Sequence, residues 1–177
     1  MRPRSGVLLV ATPQLTDPNF VRTVIYLLDH GDGGSLGFII NRPLELPLSE
    51  LWTDAPDVLA ELHLAAEGGP VDKHKGLLLH CDTTLAGAQP MGEGVAIGGD
   101  LAALAERWTT GGDLAGPRLF LGHSGWTAGQ LQNEIDEGAW VVRPGRLDLL
   151  LGPQPSELLW QQLLDGRLTG MPDPSLN

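Results

Sequence analysis

Short apolar runs separated by glycine, proline and aspartate recur along the chain, a pattern typical of β-strands. The strands that this pattern predicts cover residues 6–11, 23–29, 36–41, 62–66, 76–81, 94–98, 118–122, 139–142 and 146–151. The glycine-rich segment 29–36 predicts a long hairpin loop, so the second and third strands should pair antiparallel. If the loop centres on residues 32–33, the numbers of paired residues sum to about 65. This register places Arg22 and Thr23 near Asn41 and Arg42.

Helical spacing of apolar residues appears in fewer segments. One helix is predicted after Asp100 as N-cap, with Gly111 just beyond its end, and another runs from Ser156 as N-cap to a stop at Gly166. Segment 48–62 is predicted to be helical in one or two pieces around Pro56, and residues 111–117 are predicted to form a loop. Strands mixed with helices and at least one hairpin favour a single α+β domain over residues 1–177.

Five tryptophans divide between these elements. Trp52, Trp108 and Trp160 fall in helical patterns and are predicted to lie in the core. Trp126 and Trp140 flank one predicted helix, where they either pack in the core or border an apolar cleft between that helix and the sheet.

The charge balance excludes some partners. The chain has 11 Lys and Arg against 22 Asp and Glu, which gives a net charge of −11. Because nucleic-acid affinity comes largely from cations that neutralise phosphates, direct nucleic-acid binding is not expected, and anionic membranes should repel the chain. A protein partner or a small-molecule ligand stays possible.

Several features indicate a cytoplasmic protein. The single cysteine, Cys81, leaves no internal disulfide to form and fits a reducing compartment. The apolar run VLLVA near the N-terminus is too short for the core of a signal peptide, and no run approaches the ~20 apolar residues of a membrane span. No membrane association is therefore expected.

The segment GHSGW, residues 122–126, resembles the nucleophile turn of α/β-hydrolases. Its position after a predicted strand and before a predicted helix fits that motif, but Trp126 stands where the turn needs a small residue. His123 is also the last histidine of the chain, so the usual order of triad residues fails. A hydrolase that uses Ser124 with His123 or His80 is the alternative hypothesis, and a buried histidine bonded to Ser124 would support it.

A structural explanation of the same segment accounts for more residues. Thr127 and Gln130 have the T-x-x-Q spacing of a capping box, in which each side chain satisfies a free backbone N–H. Trp126 and Leu131 then occupy the positions of a hydrophobic staple, and Gly138 ends the helix. The segment is therefore interpreted first as the start of a helix, and as a ligand site second.

Taken together, several stretches resemble one known family in order and spacing. These are GVLLVATPQLTDPNFVRTVIYLLDH, LGFIINRP, GGPV, LLLH, LGHSGWTAGQLQNEI and AWVV. The chain resembles the AlgH (YqgE) family of small bacterial proteins over nearly its whole length. The resemblance implies a sandwich-like α+β fold, with a mixed, largely antiparallel sheet or partial barrel flanked by helices. It also implies a cytoplasmic location and a link to transcriptional regulation, without an established enzymatic activity.

The resemblance bears on the hydrolase hypothesis as well. Family members usually carry Tyr or another bulky residue at the position of His123, and Ala often replaces Ser124. If relatives tolerate Ala at that position, Ser124 is not expected to act as a nucleophile.

The predicted function is that of a non-catalytic regulatory or interaction protein, which binds a protein partner or a small ligand at a shallow cleft. Two arginines, Arg22 and Arg42, are expected near each other, where they could hold a carboxylate or phosphate bidentately. Alternatively, Asp17 and backbone carbonyls satisfy Arg22, while Pro43 holds Arg42 extended. No cofactor and no metal site is predicted. The candidate binding residues are Thr12, Pro13, Asp17, Asn19, Phe20, Arg22, Asn41, Arg42, Pro43, His123, Ser124, Gly125, Trp126 and Gln130.

Overall fold

A computed structural model describes residues 1–62, 64–109, 117–152 and 154–167. Its strands are β1 (Leu8–Ala11), β2 (Val24–Gly31), β3 (Gly34–Ile39), β4 (Ala65–Glu67), β5 (Val71–His80), β6 (Gln89–Gly92), β7 (Val95–Ile97), β8 (Arg118–Thr127) and β9 (Trp140–Arg143). Its helices are α1 (Leu48–Leu51), α2 (Asp57–Ala60), α3 (Leu101–Thr109), α4 (Gln130–Asp136), α5 (Leu147–Leu151) and α6 (Leu159–Leu164). Three predictions lie outside what the structure describes. They are the helix stop at Gly111, the loop 111–117 apart from Pro117, and the core position of the Trp108 side chain.

The strands form one curled sheet in the order β6-β7-β5-β8-β3-β2-β1-β9, with β4 paired to β8 beside this path. The β4–β8 pair is parallel, and the other strand pairs are antiparallel. The predicted α+β fold with a mixed, largely antiparallel sheet that curls into a partial barrel is therefore confirmed. The domain extent 1–177 stays a prediction.

The predicted hairpin register is confirmed in the β2–β3 pair. Near the turn, Asp29 pairs with Leu36 and His30 with Ser35, whose numbers sum to 65. Beyond an irregularity between Leu27 and Asp29, the sum becomes 64, as in Leu27 with Gly37. The connection is tighter than the predicted long loop, because both strands continue until Gly31 pairs with Gly34.

Helices pack on both faces of the sheet, so strand residues that point to either face are buried. Alternate residues of β1 point to opposite faces. Leu8 and Val10 join a cluster with α5 and α6, whereas Leu9 joins a second cluster with Leu131 of α4. A third cluster packs α1, α2 and α3 against β4, β5 and the start of β8.

Two glycines allow the backbone near β4 to approach β8 closely. Gly122 has φ 74° and Gly69 has φ 153°, values that favour glycine. A Cβ on Gly122 would collide with the carbonyl oxygen of Gly69, and a Cβ on Gly69 would collide with the carbonyl group of His123. The close approach therefore explains the first glycine of GHSGW without any catalytic role.

Several sequence predictions about the elements were wrong. The predicted strand 146–151 is helix α5, because Leu147, Leu150 and Leu151 have i, i+3, i+4 spacing as well as strand-like alternation. Asp148 in its first turn accepts hydrogen bonds from Arg146. Strand β6, with the sequence QPMG, was missed because its residues are mostly exposed and lack an apolar pattern.

The segment before α4 was also predicted wrongly. Residues 122–126 do not form a strand-to-helix turn, because β8 continues through Thr127 in a ladder with β3. Helix α4 therefore begins at Gln130, three residues later than the predicted cap. Two other helix predictions are confirmed: Asp100 accepts the Ala103 N–H at 3.2 Å, and segment 48–62 forms two short helices around Pro56. The predicted N-cap at Ser156 was wrong, because α6 begins at Leu159 with Leu158 as its N-cap, and the Ser156 hydroxyl accepts the Leu158 N–H in the turn before it.

Candidate functional site

A compact turn at residues 17–21 carries several of the predicted site residues. The side-chain carboxylate of Asp17 accepts the Asn19 N–H at 2.9 Å. The backbone carbonyl of Asp17 accepts the N–H groups of Phe20 and Val21. Such local bonds from an aspartate are a common way to fix a turn. The Phe20 carbonyl then accepts both the N–H and the hydroxyl of Thr23, at 3.1 and 2.8 Å, where β2 begins.

The guanidinium of Arg42, in the segment that follows β3, holds this turn. Its Nη1 donates to the carbonyl of Asn19 at 2.7 Å, and its Nη2 lies 3.4 Å from the carbonyls of Pro18 and Val21. Backbone carbonyls therefore satisfy the donors of Arg42. The alternative hypothesis had expected this arrangement at Arg22. Pro43 forms a bridge to Ala66, which fixes the chain beyond Arg42.

The side chain of Asn41 spans the open end of the hairpin. Its Nδ2 donates to the Arg22 carbonyl at 2.9 Å, and its Oδ1 accepts the Val24 N–H at 2.8 Å. Between these contacts Arg22 has φ 57°, a left-handed conformation that is unfavourable for residues other than glycine. The predicted proximity of residues 22 and 41 is thus present, and it holds a strained backbone in place.

The Arg22 side chain is exposed and packs against a ring of α6. Its Cζ lies 5.6 Å from the ring centroid of Trp160 on α6, a cation–π arrangement. The Trp160 indole is itself fixed, because its Nε1 donates to the Ala11 carbonyl at 2.7 Å.

An aromatic cluster joins the two halves of the predicted site. The ring of Phe20 lies 6.4 Å from that of Trp126 and 5.8 Å from that of Trp140, and the two indoles are 6.1 Å apart and edge-on. Both tryptophans are buried, so core packing and not an open cleft is their role. Both indole N–H groups donate to one carboxylate oxygen of Glu134, at 3.3 and 3.1 Å.

The other predicted residues near α4 hold the loops around this cluster. Thr12 donates its hydroxyl to the Gly138 carbonyl at 2.6 Å, while neighbouring Pro13 is exposed. One arm of the predicted capping box is present, because Gln130 Oε1 accepts the Thr127 N–H at 3.0 Å. The other arm is absent, since the Thr127 hydroxyl is directed to the same Gln130 oxygen.

The geometry of Ser124 does not match a nucleophile. Its hydroxyl is fully buried and donates to the Gly68 carbonyl at 3.2 Å. The half-buried His123 precedes it on the same strand, and Gly125 follows it, so both point to the opposite face. Buried His80 uses both ring nitrogens elsewhere: Nδ1 accepts the Asp82 N–H, which leaves Nε2 to donate to the Gly98 carbonyl at 2.7 Å.

Sequence reasoning missed Trp160 and Glu134. Trp160 was assigned only to a helix core face, although it lies beneath Arg22. Glu134 is one turn beyond Gln130, and Gln130 Nε2 donates to its second oxygen at 3.0 Å. The i, i+4 spacing of these residues was a signal that could have indicated their contact.

Among the described residues, no three His, Cys, Asp or Glu side chains are grouped so as to hold a metal ion. None of the helices found there has the length and apolar character to cross a membrane.

The fold belongs to a recognisable class of small mixed α+β proteins. A family model described as DUF179, AlgH-like, matches residues 8–170. Relatives include a UPF0301 protein of Streptomyces avermitilis, which is 37% identical over an alignment of 186 residues, gaps included. The alignment covers 98% of this chain and 95% of the relative. A UPF0301 protein of Myxococcus xanthus is 37% identical over 164 residues, which cover 90% and 88%. The chain therefore belongs to the AlgH-like family.

Two solved structures are similar to the fold. The solution structure of the AlgH protein from Pseudomonas aeruginosa has a TM-score of 0.70 and 32% sequence identity, and the match covers 93% of this chain and 88% of that one. A crystal structure from Corynebacterium diphtheriae has a TM-score of 0.73 at 21% identity, with coverage of 96% and 90%. The second similarity concerns the fold alone.

Proposed function

We propose that this protein is a non-catalytic interaction protein that binds an acidic segment of a partner protein. The binding surface consists of Val21, Arg22 and the turn that Arg42 supports, and is called here the arginine turn. The observation that carries the proposal is the left-handed backbone of Arg22, at φ 57°, clamped on both sides by Asn41. Strain that the surroundings hold in place at an exposed residue is typical of functional sites.

The chemistry of the arginine turn suits a peptide with both acidic and apolar residues. Arg22 keeps its guanidinium exposed over Trp160, where it can donate bidentate hydrogen bonds to a carboxylate. Val21 beside it is 42% exposed, and Leu158, two residues before Trp160, is 62% exposed. Arginine with neighbouring apolar surface is a common composition of interaction sites.

The charge of the chain adds selectivity to such binding. A protein with a net charge of −11 repels an acidic partner everywhere except where cations are presented. The arginine turn would therefore set the orientation of the complex. The link to transcriptional regulation that the family resemblance implies would then act through a bound protein and not through direct nucleic-acid contact.

In-cell photo-crosslinking tests the proposal. A benzophenone amino acid placed at Val21 is compared with the same amino acid at Gln132, an exposed residue on the outer side of α4. We expect a crosslinked protein from the native host at Val21 that is absent at Gln132. That partner is then purified, and its affinity for the chain is measured by calorimetry.

The decisive variant is Arg22→Glu, with Arg167→Glu as its control of equal charge change at another exposed site. Arg22→Glu should weaken binding at least about tenfold, the effect of reversing one interface charge against an acidic partner. Reversal of Arg42 is a poorer test, because its carbonyl contacts also hold the turn. Equal affinity for the chain and the Arg22→Glu variant would overturn the proposal.

A further inference from the structure

An apolar cleft lies away from the arginine turn, between α1, α3 and the strands β5, β7 and β8. The arginine turn adjoins β2, and both β3 and β8 lie between β2 and β5 in the sheet. Each bordering element contributes a large apolar side chain to the lining: Leu51 from α1, Leu78 from β5, Ile97 from β7, Leu101 from α3 and Leu121 from β8. The volume of the cleft is about 360 Å³. Sites for small molecules usually measure ~300–1,000 Å³, so the size suits such a ligand.

The apolar side chains around the cleft are incompletely buried. Leu51, Trp52, Leu77, Leu101 and Leu121 all line it, and each is half-buried. Three of them, the leucines at 51, 101 and 121, border the core cluster that packs α1, α2 and α3 against the sheet. Apolar surface that gathers in one place is typical of binding sites. A bound apolar molecule would remove this surface from water, which lowers the free energy of the complex.

The residues that line the cleft are also depleted in charge. Charged residues make up 19% of the chain, so about two would be expected among the eleven of the lining. None of these eleven described residues is Asp, Glu, Lys or Arg, and His74 is the one titratable side chain among them. The chain neighbours of His74, Lys73 and Lys75, are exposed and do not belong to the lining. An ion buried here would lose its hydration without meeting an opposite charge in the lining.

From this lining we infer that the cleft binds a compact, uncharged and mainly apolar molecule, such as a cyclic alcohol or ketone. The apolar body of the ligand would contact the leucine side chains and Trp52, and its burial supplies the affinity. A single hydroxyl or carbonyl group can form a hydrogen bond with the exposed ring of His74. This ligand is distinct from the acidic partner of the arginine turn, because neither Arg22 nor Trp160 belongs to the lining.

Calorimetric titration with three probes that share the adamantane skeleton tests the inference. Adamantan-1-ol is uncharged, adamantane-1-carboxylate is an anion and adamantan-1-ylammonium is a cation. The alcohol should bind at least about tenfold tighter than either ion, because burial of the rigid skeleton strips hydration from an attached charge. The titrations are done at about pH 8, where histidine is ordinarily neutral. Binding of either ion as tight as that of the alcohol, or no binding of the alcohol, would overturn the inference.

The fluorescence of Trp52 reports where the probe binds. Trp52 lines the cleft and is half-buried, so adamantan-1-ol bound beside it should exclude water and shift the tryptophan emission to shorter wavelength. In Trp52→Phe, the ligand-induced shift should disappear. A shift that persists in this variant would place the probe beside another of the five tryptophans and contradict the assigned site.

A filling variant tests the same location by calorimetry. Leu101→Trp fills the cleft from α3 and should lower the affinity for adamantan-1-ol at least about tenfold. The matched control is Leu149→Trp, which makes the same substitution at a half-buried leucine of α5 that packs against another cluster. Its affinity should be unchanged.

A second filling variant is available if circular dichroism shows that Leu101→Trp does not fold. A Cβ on Gly76 would lie 3.0 Å from Leu119 and 3.5 Å from Leu121, both in the lining, so Gly76→Val fills the cleft from β5. Unchanged affinity in a folded filling variant, or an equal loss of affinity in the Leu149→Trp control, would overturn the inference.

Discussion

The guanidinium of Arg118 lies over the ring of Phe120, with its Cζ 5.0 Å from the ring centroid. Both residues are buried on the same face of β8, and Arg118 is only 1% exposed. Its donors reach the carbonyls of Leu150 at 3.1 Å and Ile40 at 3.4 Å, and Gln154 Oε1 at 2.9 Å. Burial lowers the pKa of Arg118 to about 10, so the group is still charged at neutral pH. A cation on β8 therefore contacts α5 and the residue that follows β3 through neutral acceptors.

Replacement of this cation tests which of two opposing effects dominates. Arg118→Met removes the cost of burying a charge but leaves the carbonyls of Leu150 and Ile40 without a donor. Because several buried acceptors lose partners at once, we expect the free energy of unfolding to fall by about 2–4 kcal/mol. Urea denaturation measures the change.

The control for this variant is Arg143→Met. Arg143 also donates to the final carbonyls of a helix, those of Leu163 and Leu164 in α6, but it is half-buried. Water can replace it there, so its loss should cost less. A more stable Arg118→Met variant would mean that desolvation of the charge outweighs its hydrogen bonds.

The clamp at the open end of the hairpin can be dissected through Asn41. Asn41→Ala removes the donor to the Arg22 carbonyl and the acceptor for the Val24 N–H, and we expect a loss of about 1–3 kcal/mol of stability. Asn41→Asp keeps the acceptor alone and should lose less. Equal losses in the two variants, measured by urea denaturation, would mean that the Val24 contact contributes nothing.

The carboxylate of Glu134 satisfies two buried indoles at once. In Glu134→Ala, the N–H groups of Trp126 and Trp140 lose their acceptor, which should cost at least about 1–3 kcal/mol and shift tryptophan fluorescence. Asp136→Ala, in the same helix, removes only an exposed contact with Gln132 and is the control. Similar unfolding midpoints for these variants would contradict the assigned role of Glu134.

The stability of the protein should depend on pH through Asp82. Burial raises the pKa of this carboxyl, but hydrogen bonds from Thr84 and Arg107 together outweigh burial and hold the pKa below its ordinary value of 3.8. A carboxyl with a lowered folded-state pKa stabilises the fold above its unfolded-state pKa, and this contribution is lost as pH falls through the folded-state pKa. Asp82→Asn should therefore destabilise the protein at pH 7 and lose that difference as the pH falls below 3.8.

Chemical denaturation at pH 7 and at pH 3 measures this dependence. Asp54→Asn, at an exposed position in the turn between α1 and α2, serves as the control. A gap between the native chain and Asp82→Asn that stays constant across this range would contradict the assignment.

The local sequence pattern correctly predicted those elements whose contacts lie within one short segment of the chain. The β2–β3 register could be predicted because glycine spacing and strand alternation lie within one hairpin. The segment 146–151 could not, because RLDLLL satisfies strand and helix periodicities equally, and the contacts of Leu150 and Leu151 with distant strands decide between them. Likewise, β8 extends beyond the apolar segment 118–122 that predicted it, because pairing with β3 continues the ladder to Thr127.

The candidate site divides in the same way. The proximity of Arg22 and Asn41 follows from the hairpin register, whereas the position of Arg22 over Trp160 depends on how α6 packs against β1. An apolar cleft between α1, α3, β5, β7 and β8 is lined by residues from Leu51 to Leu121, and no local pattern connects them.

The close approach of Gly69 and Gly122 limits how this sequence can vary. A Cβ at either position would collide with backbone atoms of the facing segment. Because backbone atoms are the same for every residue type, a change at one position cannot be compensated by a change at the other. A library randomised at both positions and selected for folding should return glycine at both, independently. Two glycines are therefore required at this contact by backbone sterics alone, and the likeness of GHSGW to a hydrolase motif can arise there by chance.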